Sequence, residues 1–152
     1  MKKKSIYYVY LMLVTLLLDR CTKYFVLKYV DKPVKINSFF SLVLTFNRGF
    51  SWSMFHSPNN IIFCIVSSII FFITACIACY AYHLYKKEMP IIGELLVTVG
   101  SISNCIDRVL YGGVVDFLLF SYKNFAWPVF NCADVFIVAG VLIIFFGHYD
   151  EA

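Results

Sequence analysis

Asp116 and Asp134 are the residues of this chain whose type and setting best suit them to chemistry. Asp116 is framed by Val114-Val115 and Phe117-Leu118-Leu119-Phe120, and Asp134 lies about five residues into the last apolar run. Two carboxyl groups within hydrogen-bond reach do not both ionise cheaply, so such a pair keeps one proton and holds an acid beside a base. The base takes a proton from water as the water attacks a carbonyl carbon, and the acid protonates the carbonyl oxygen. Positioned acid–base groups of this kind accelerate reactions by about 10²–10⁴-fold. The scheme requires no metal, no cofactor and no nucleophilic side chain. The sequence has no G-x-S-x-G, no H-E-x-x-H and no Ser/Lys pair on facing segments. On residue type and spacing alone, the carboxylates suit a protease or a proton-coupled carrier.

Other polar residues gather toward the same end of the apolar segments. Asp19, Asn47 and Asp107 fall there with the pair, so separate stretches of chain deliver carboxylates or amides to one layer. Asn131 and Asp134 are three positions apart, and Asp19 and Lys23 four, so each couple shares a helical face. Asn104, Asp107 and Arg108 share another, with Gly100 one turn earlier. Plainer readings exist: a helical ion pair for Asp19 and Lys23, a helix-end cap for Asp107 and Arg108, interhelical hydrogen bonds for Asn104 and Asn131. Ionisable groups inside apolar spans cost several kcal/mol, which weighs against a purely structural role for Asp116 and Asp134.

The elements that must position these residues follow from composition. Of 152 residues, 61% are hydrophobic and only 14% charged. A soluble domain is nearer 45–50% apolar and 25% charged, so much of this surface must face lipid. Four segments reach the roughly 20 residues that a bilayer requires: about 6–29, 61–82, 91–110 and 129–146. The expected fold is an all-α membrane domain, 1–152, with four transmembrane helices and outer loops at about 31–58 and 111–128. In the first loop, period-two alternation on both sides of Asn47-Arg48-Gly49 predicts a small extracytoplasmic β element, with Leu42, Leu44 and Phe46 before the turn and Phe50, Trp52 and Met54 after it. Its aromatic face is expected on the membrane surface. Lys2-Lys3-Lys4 followed by an apolar run imitates a signal peptide, but no small-x-small cleavage site follows, which predicts an uncleaved first span. Charge near the span ends favours cytoplasmic termini. The net charge of +4 is scattered, which excludes a nucleic-acid stripe. The six cysteines, including Cys76-x-x-Cys79, read as packing residues, and His56, His83 and His148 have no ligand spacing.

Five boxes carry a family resemblance. Leu18-Asp19-Arg20-Cys21-Thr22-Lys23 resembles the L-D-x-x-T-K box of lipoprotein signal peptidases (signal peptidase II), and Asn47-Arg48-Gly49 their N-x-G box. Gly100 through Asn104-Cys105-Ile106-Asp107-Arg108 is similar to G-x-x-G-N-x-I-D-R, Val114-Val115-Asp116-Phe117 to V-V-D-F, and Phe130-Asn131-Cys132-Ala133-Asp134 to F-N-x-A-D. The boxes occur in the family's order across nearly the whole chain. The resemblance implies an aspartic endopeptidase of the bacterial inner membrane that cleaves diacylglyceryl-modified prolipoproteins just before the lipid-bearing cysteine. It implies that Asp116 and Asp134 are the catalytic pair, supported by Asp19, Lys23, Asn47, Gly49, Asn104, Asp107, Arg108 and Asn131. It further implies both termini in the cytoplasm, a site near the outer leaflet, contact with membrane lipids and inhibition by the cyclic peptide globomycin. Ser103 and Val99 stand where the family usually has glycine, and Ser103 is expected to crowd the packing beside Asn104. The competing readings are a proton-coupled carrier, which should show repeat symmetry, and an inactive lipoprotein-binding homologue, which should have lost an aspartate.

Overall fold

A computed structural model describes residues 2–49, 58–123 and 125–147. The elements run α1 (Lys2–Tyr29), β1 (Val34–Lys35), β2 (Phe40–Asn47), α2 (Asn60–Lys86), α3 (Ile92–Tyr111), β3 (Val114–Tyr122), β4 (Phe125–Ala126) and α4 (Cys132–Gly147). The four helices fall on the four expected apolar segments. Local chemistry fixes their ends. The Asn59 side chain accepts the Ile61 N–H at 2.8 Å and starts α2. Gly112, left-handed at φ 67°, stops α3 and turns the chain into β3.

Among the described residues one helix, α2, is long and apolar enough by length and composition to cross a membrane; α4 is apolar but only 16 residues long. Polar and charged residues interrupt α1 (Asp19, Arg20, Lys23) and α3 (Glu94, Asp107, Arg108). Large apolar side chains nevertheless point outward along the helices, among them Leu17, Ile65, Phe72, Val138 and Phe146.

The strands form one antiparallel sheet in the order β1-β2-β3-β4. Here the expectation needs correction. The 111–128 loop contains a nine-residue strand, β3, and Asp116 sits in it rather than in a loop. The start of β3, Val114–Phe117, is buried on both faces, so apolar residues flank Asp116 on either side with no inside-outside alternation. Strand β2 forms as expected, but it pairs with β3: Thr45 faces Asp116 and Asn47 faces Val114, beyond an irregularity between Leu42 and Thr45. The alternating stretch around Phe50, Trp52 and Met54, with His56 and His148, lies outside the described residues.

Two apolar clusters brace the ends. Val26, Val30 and Phe117 tie α1 to the sheet, and Leu84, Ile91 and Leu95 close the turn between α2 and α3. Helices α3 and α4 touch backbone to backbone. A Cβ at Gly100 would lie 2.7 Å from the Ala133 carbonyl oxygen, so only glycine lets the start of α4 approach this closely.

Candidate active site

The middle of α3 and the first turn of α4 face each other across the Gly100 contact, and β3 lies beside both. Asn131 immediately precedes α4. Its Oδ1 accepts the Asp134 N–H at 3.0 Å, and Asp134 Oδ2 accepts the Asn131 N–H at 3.1 Å. This reciprocal pair is a capping box with Asp in the place of Glu. The Asn131 amide then reaches outward. Nδ2 donates to Asp116 Oδ1 at 2.7 Å and to Asn104 Oδ1 at 3.2 Å. Asn104 Nδ2 donates to Asp134 Oδ1 at 2.9 Å. Two amides thus stand between two carboxyl groups and hold one oxygen of each.

Asp116 and Asp134 border one cavity of about 360 Å³, with Asn47, Asn104 and Arg108 at its polar end and Ile73, Val97, Ile137 and other aliphatic side chains along the rest. Asp116 is almost wholly buried, and its carboxyl is pushed up to about 7. Desolvation is the first cause and the negative charge of Asp134 the second; hydrogen bonds from Asn47 and Asn131 and the charge of Lys23 work against both. One member of the pair therefore holds a proton near neutral pH.

Behind the amides lies a buried ion cluster. Lys23 is fully buried and spends its three N–H bonds on Asp19 Oδ2 (2.7 Å), Asp107 Oδ2 (2.7 Å) and Asn104 Oδ1 (2.8 Å). Asp19 Oδ1 accepts the Ala133 N–H at 2.8 Å, a second orphan donor of α4. Asp107 Oδ2 also accepts the Val115 N–H at 3.2 Å, so Asp107 fastens the start of β3 rather than capping its own helix. Arg108 donates to the carbonyl oxygens of Arg48 and Gly49, and Gly49 N–H donates to Asn47 Oδ1 at 2.9 Å.

Every candidate residue from the sequence thus belongs to one connected network. Asp116 and Asp134 face the cavity with Asn47, Asn104 and Arg108; Asp19, Lys23 and Asp107 stand behind; Asn131 bridges, and Gly49 anchors Arg108. Two participants were not foreseen. Arg20 Nη1 meets Asp107 Oδ1 at 2.5 Å. Ser103, next to Asn104, donates its hydroxyl to Asp19 Oδ2 at 2.6 Å. A charge beside Asp19 within an apolar segment was the available sign for Arg20.

The family model described as Signal peptidase (SPase) II matches residues 11–149. A lipoprotein signal peptidase of Rickettsia conorii is 37% identical over 123 residues, covering 77% of this chain and 58% of its own length. One of Rickettsia bellii is 35% identical over 144 residues, covering 88% of this chain and 70% of its own length. The chain thus spans 58% to 70% of the length of these relatives. A bacterial membrane enzyme solved at 2.3 Å has a TM-score of 0.77 at 22% identity, over 95% of this chain and 88% of that one. Another, solved at 1.9 Å, has a TM-score of 0.75, also at 22% identity, over 95% and 94%. At that identity the likeness is one of fold.

Proposed function

The chain belongs to the signal peptidase II family, and from that premise we propose that it is an intramembrane aspartic endopeptidase that removes signal peptides from diacylglyceryl-modified prolipoproteins, cutting before the lipidated cysteine. The observation that carries the reading is a pair of carboxyl groups, Asp116 and Asp134, on one cavity, with Asp116 able to hold a proton at neutral pH.

The chemistry follows. Asp134 takes a proton from a water whose oxygen attacks the scissile carbonyl carbon, while the Asp116 proton passes to the carbonyl oxygen. Asp116 recovers that proton as the tetrahedral centre collapses, and Asp134 delivers its own to the departing amine as the C–N bond breaks. The amides of Asn104 and Asn131 fix the carboxyl groups throughout, so little reorganisation accompanies the reaction. The aliphatic length of the cavity suits an apolar signal-peptide segment. In the proposed topology the four helices cross the inner membrane as a single domain with both termini cytoplasmic, and the sheet lies near the outer leaflet. The outward apolar side chains of α1, α2 and α4 support the lipid contact, not the orientation. Globomycin would then compete for the same cavity. No observation favours the carrier reading.

The test is cleavage of a lipid-modified prolipoprotein by the purified protein in detergent. Asp116→Asn and Asp134→Asn should each remain folded and lose turnover by about 10³-fold. Wild-type turnover in either variant rejects the assigned pair, and abolition by a chelator rejects the metal-free mechanism.

A further inference from the structure

We propose that Arg20 is a positioning residue of this site: its guanidinium holds one oxygen of Asp107 so that the other holds Lys23, and Lys23 in turn fixes the Asn104 amide against Asp134. The proposal rests on reading Asp116 and Asp134 as the acid–base pair.

The contacts run in sequence from the surface inward. Arg20, with its side chain 24% exposed, reaches Asp107 Oδ1 at 2.5 Å and the Ser103 carbonyl oxygen at 3.3 Å. Asp107, fully buried, turns Oδ2 to Lys23. Lys23 donates to Asn104 Oδ1, which also accepts from Asn131. With two donors on its oxygen, Asn104 has one orientation available, and that orientation points its NH₂ at Asp134. Arg108, the sequence neighbour of Asp107, does not substitute for Arg20, because it donates to the carbonyls of Arg48 and Gly49.

Charge makes the arrangement consequential. Helix α1 brings Asp19, Arg20 and Lys23; α3 brings Asp107 and Arg108; β3 and α4 bring Asp116 and Asp134, with Cys132 beside Asp19. The cavity residues of α2 (Ile70, Ile73, Thr74 and Ile77) do not ionise, and Arg48 turns away to Pro58 and Asn60. In the cluster behind the amides, Arg20 and Lys23 balance Asp19 and Asp107. Without Arg20 that cluster carries one surplus negative charge beside the pair, and a negative neighbour favours the protonated form of a carboxyl group.

The experiment follows the infrared carboxyl band that disappears in Asp116→Asn, titrated in the full-length protein in detergent, alongside turnover. Arg20→Gln should raise the midpoint by on the order of one pH unit and lower kcat about 10-fold with KM within about two-fold. Arg20→Lys should return most of both. Lys86→Gln, which removes a positive charge at the far end of α2, should leave the midpoint in place. Arg20→Gln/Asp107→Asn restores the charge balance and should bring the midpoint back; it serves also if Arg20→Gln alone does not fold. A midpoint unmoved in folded Arg20→Gln, or still displaced in the double variant, overturns the proposal. A wild-type protein that cleaves no prolipoprotein yet keeps the Arg20-dependent midpoint rejects the peptidase reading and leaves the charge linkage standing.

Discussion

Asn131 performs two jobs that substitution can separate. Its Oδ1 caps α4 through the Asp134 N–H, and its Nδ2 holds Asp116 at 2.7 Å. The residue is fully buried. Above about pH 7, where Asp116 is ionised, Asn131→Ala removes a helix cap, about 1 kcal/mol, and a hydrogen bond to a charged acceptor, about 1.5–3 kcal/mol. The sum is a loss of about 2.5–4 kcal/mol. Removing a donor that favours the ionised form moves the Asp116 titration further above about 7. Asn131→Ser keeps a capping oxygen but is too short to reach Asp116. It should recover the capping part, about 1 kcal/mol, without recovering turnover, which stays about 10²-fold down in both variants. Reversible unfolding in mixed micelles reads the first quantity and prolipoprotein cleavage the second. Wild-type turnover in Asn131→Ser, or an Asn131→Ala variant within about 0.5 kcal/mol of wild type, refutes the reasoning that joins cap and site in this side chain.

Lys23→Met leaves two buried carboxylates facing Arg20 alone and should cost about 3–5 kcal/mol of stability, measured by the same unfolding assay. Gly100→Ala forces a methyl group to within 2.7 Å of the Ala133 carbonyl; overpacking of about 1–3 kcal/mol should appear in unfolding, with a fall in turnover as Asp134 shifts. Turnover, measured across pH, should fall as pH rises through about 7, where Asp116 loses the shared proton. For stability the sign is the same. The Asp116 carboxyl is raised from its ordinary 3.8 to about 7, so folding favours its protonated form; that contribution is present below pH 3.8 and is lost as pH rises to about 7. Asp116→Asn should flatten this part of the unfolding profile.

The helices were legible because their apolar runs are long and their charges few. The spacing of Asn131 and Asp134 suggests a shared helical face; in the structure Asn131 precedes α4 and caps it through reciprocal bonds with Asp134. The strand carrying Asp116 was missed because a strand buried on both faces does not alternate; its partner, β2, half exposed, was found. The role of Asp19 was out of reach for a different reason. Its acceptor oxygen meets a backbone N–H of α4, and a backbone donor has no signature in residue type. Volume alone does not describe Ser103, since a hydroxyl beside a buried carboxylate adds a donor as well as bulk.

The bond from Asp19 to the Ala133 backbone joins positions 114 apart. A chain made from its N-terminus at about 5–20 residues per second exposes that carboxylate for roughly 6–23 seconds before its final partner exists. Throughout that interval the newborn protein holds neither Asp116 nor Asp134 in place, so the proposed hydrolytic centre stays inert until the first turn of α4 has been made.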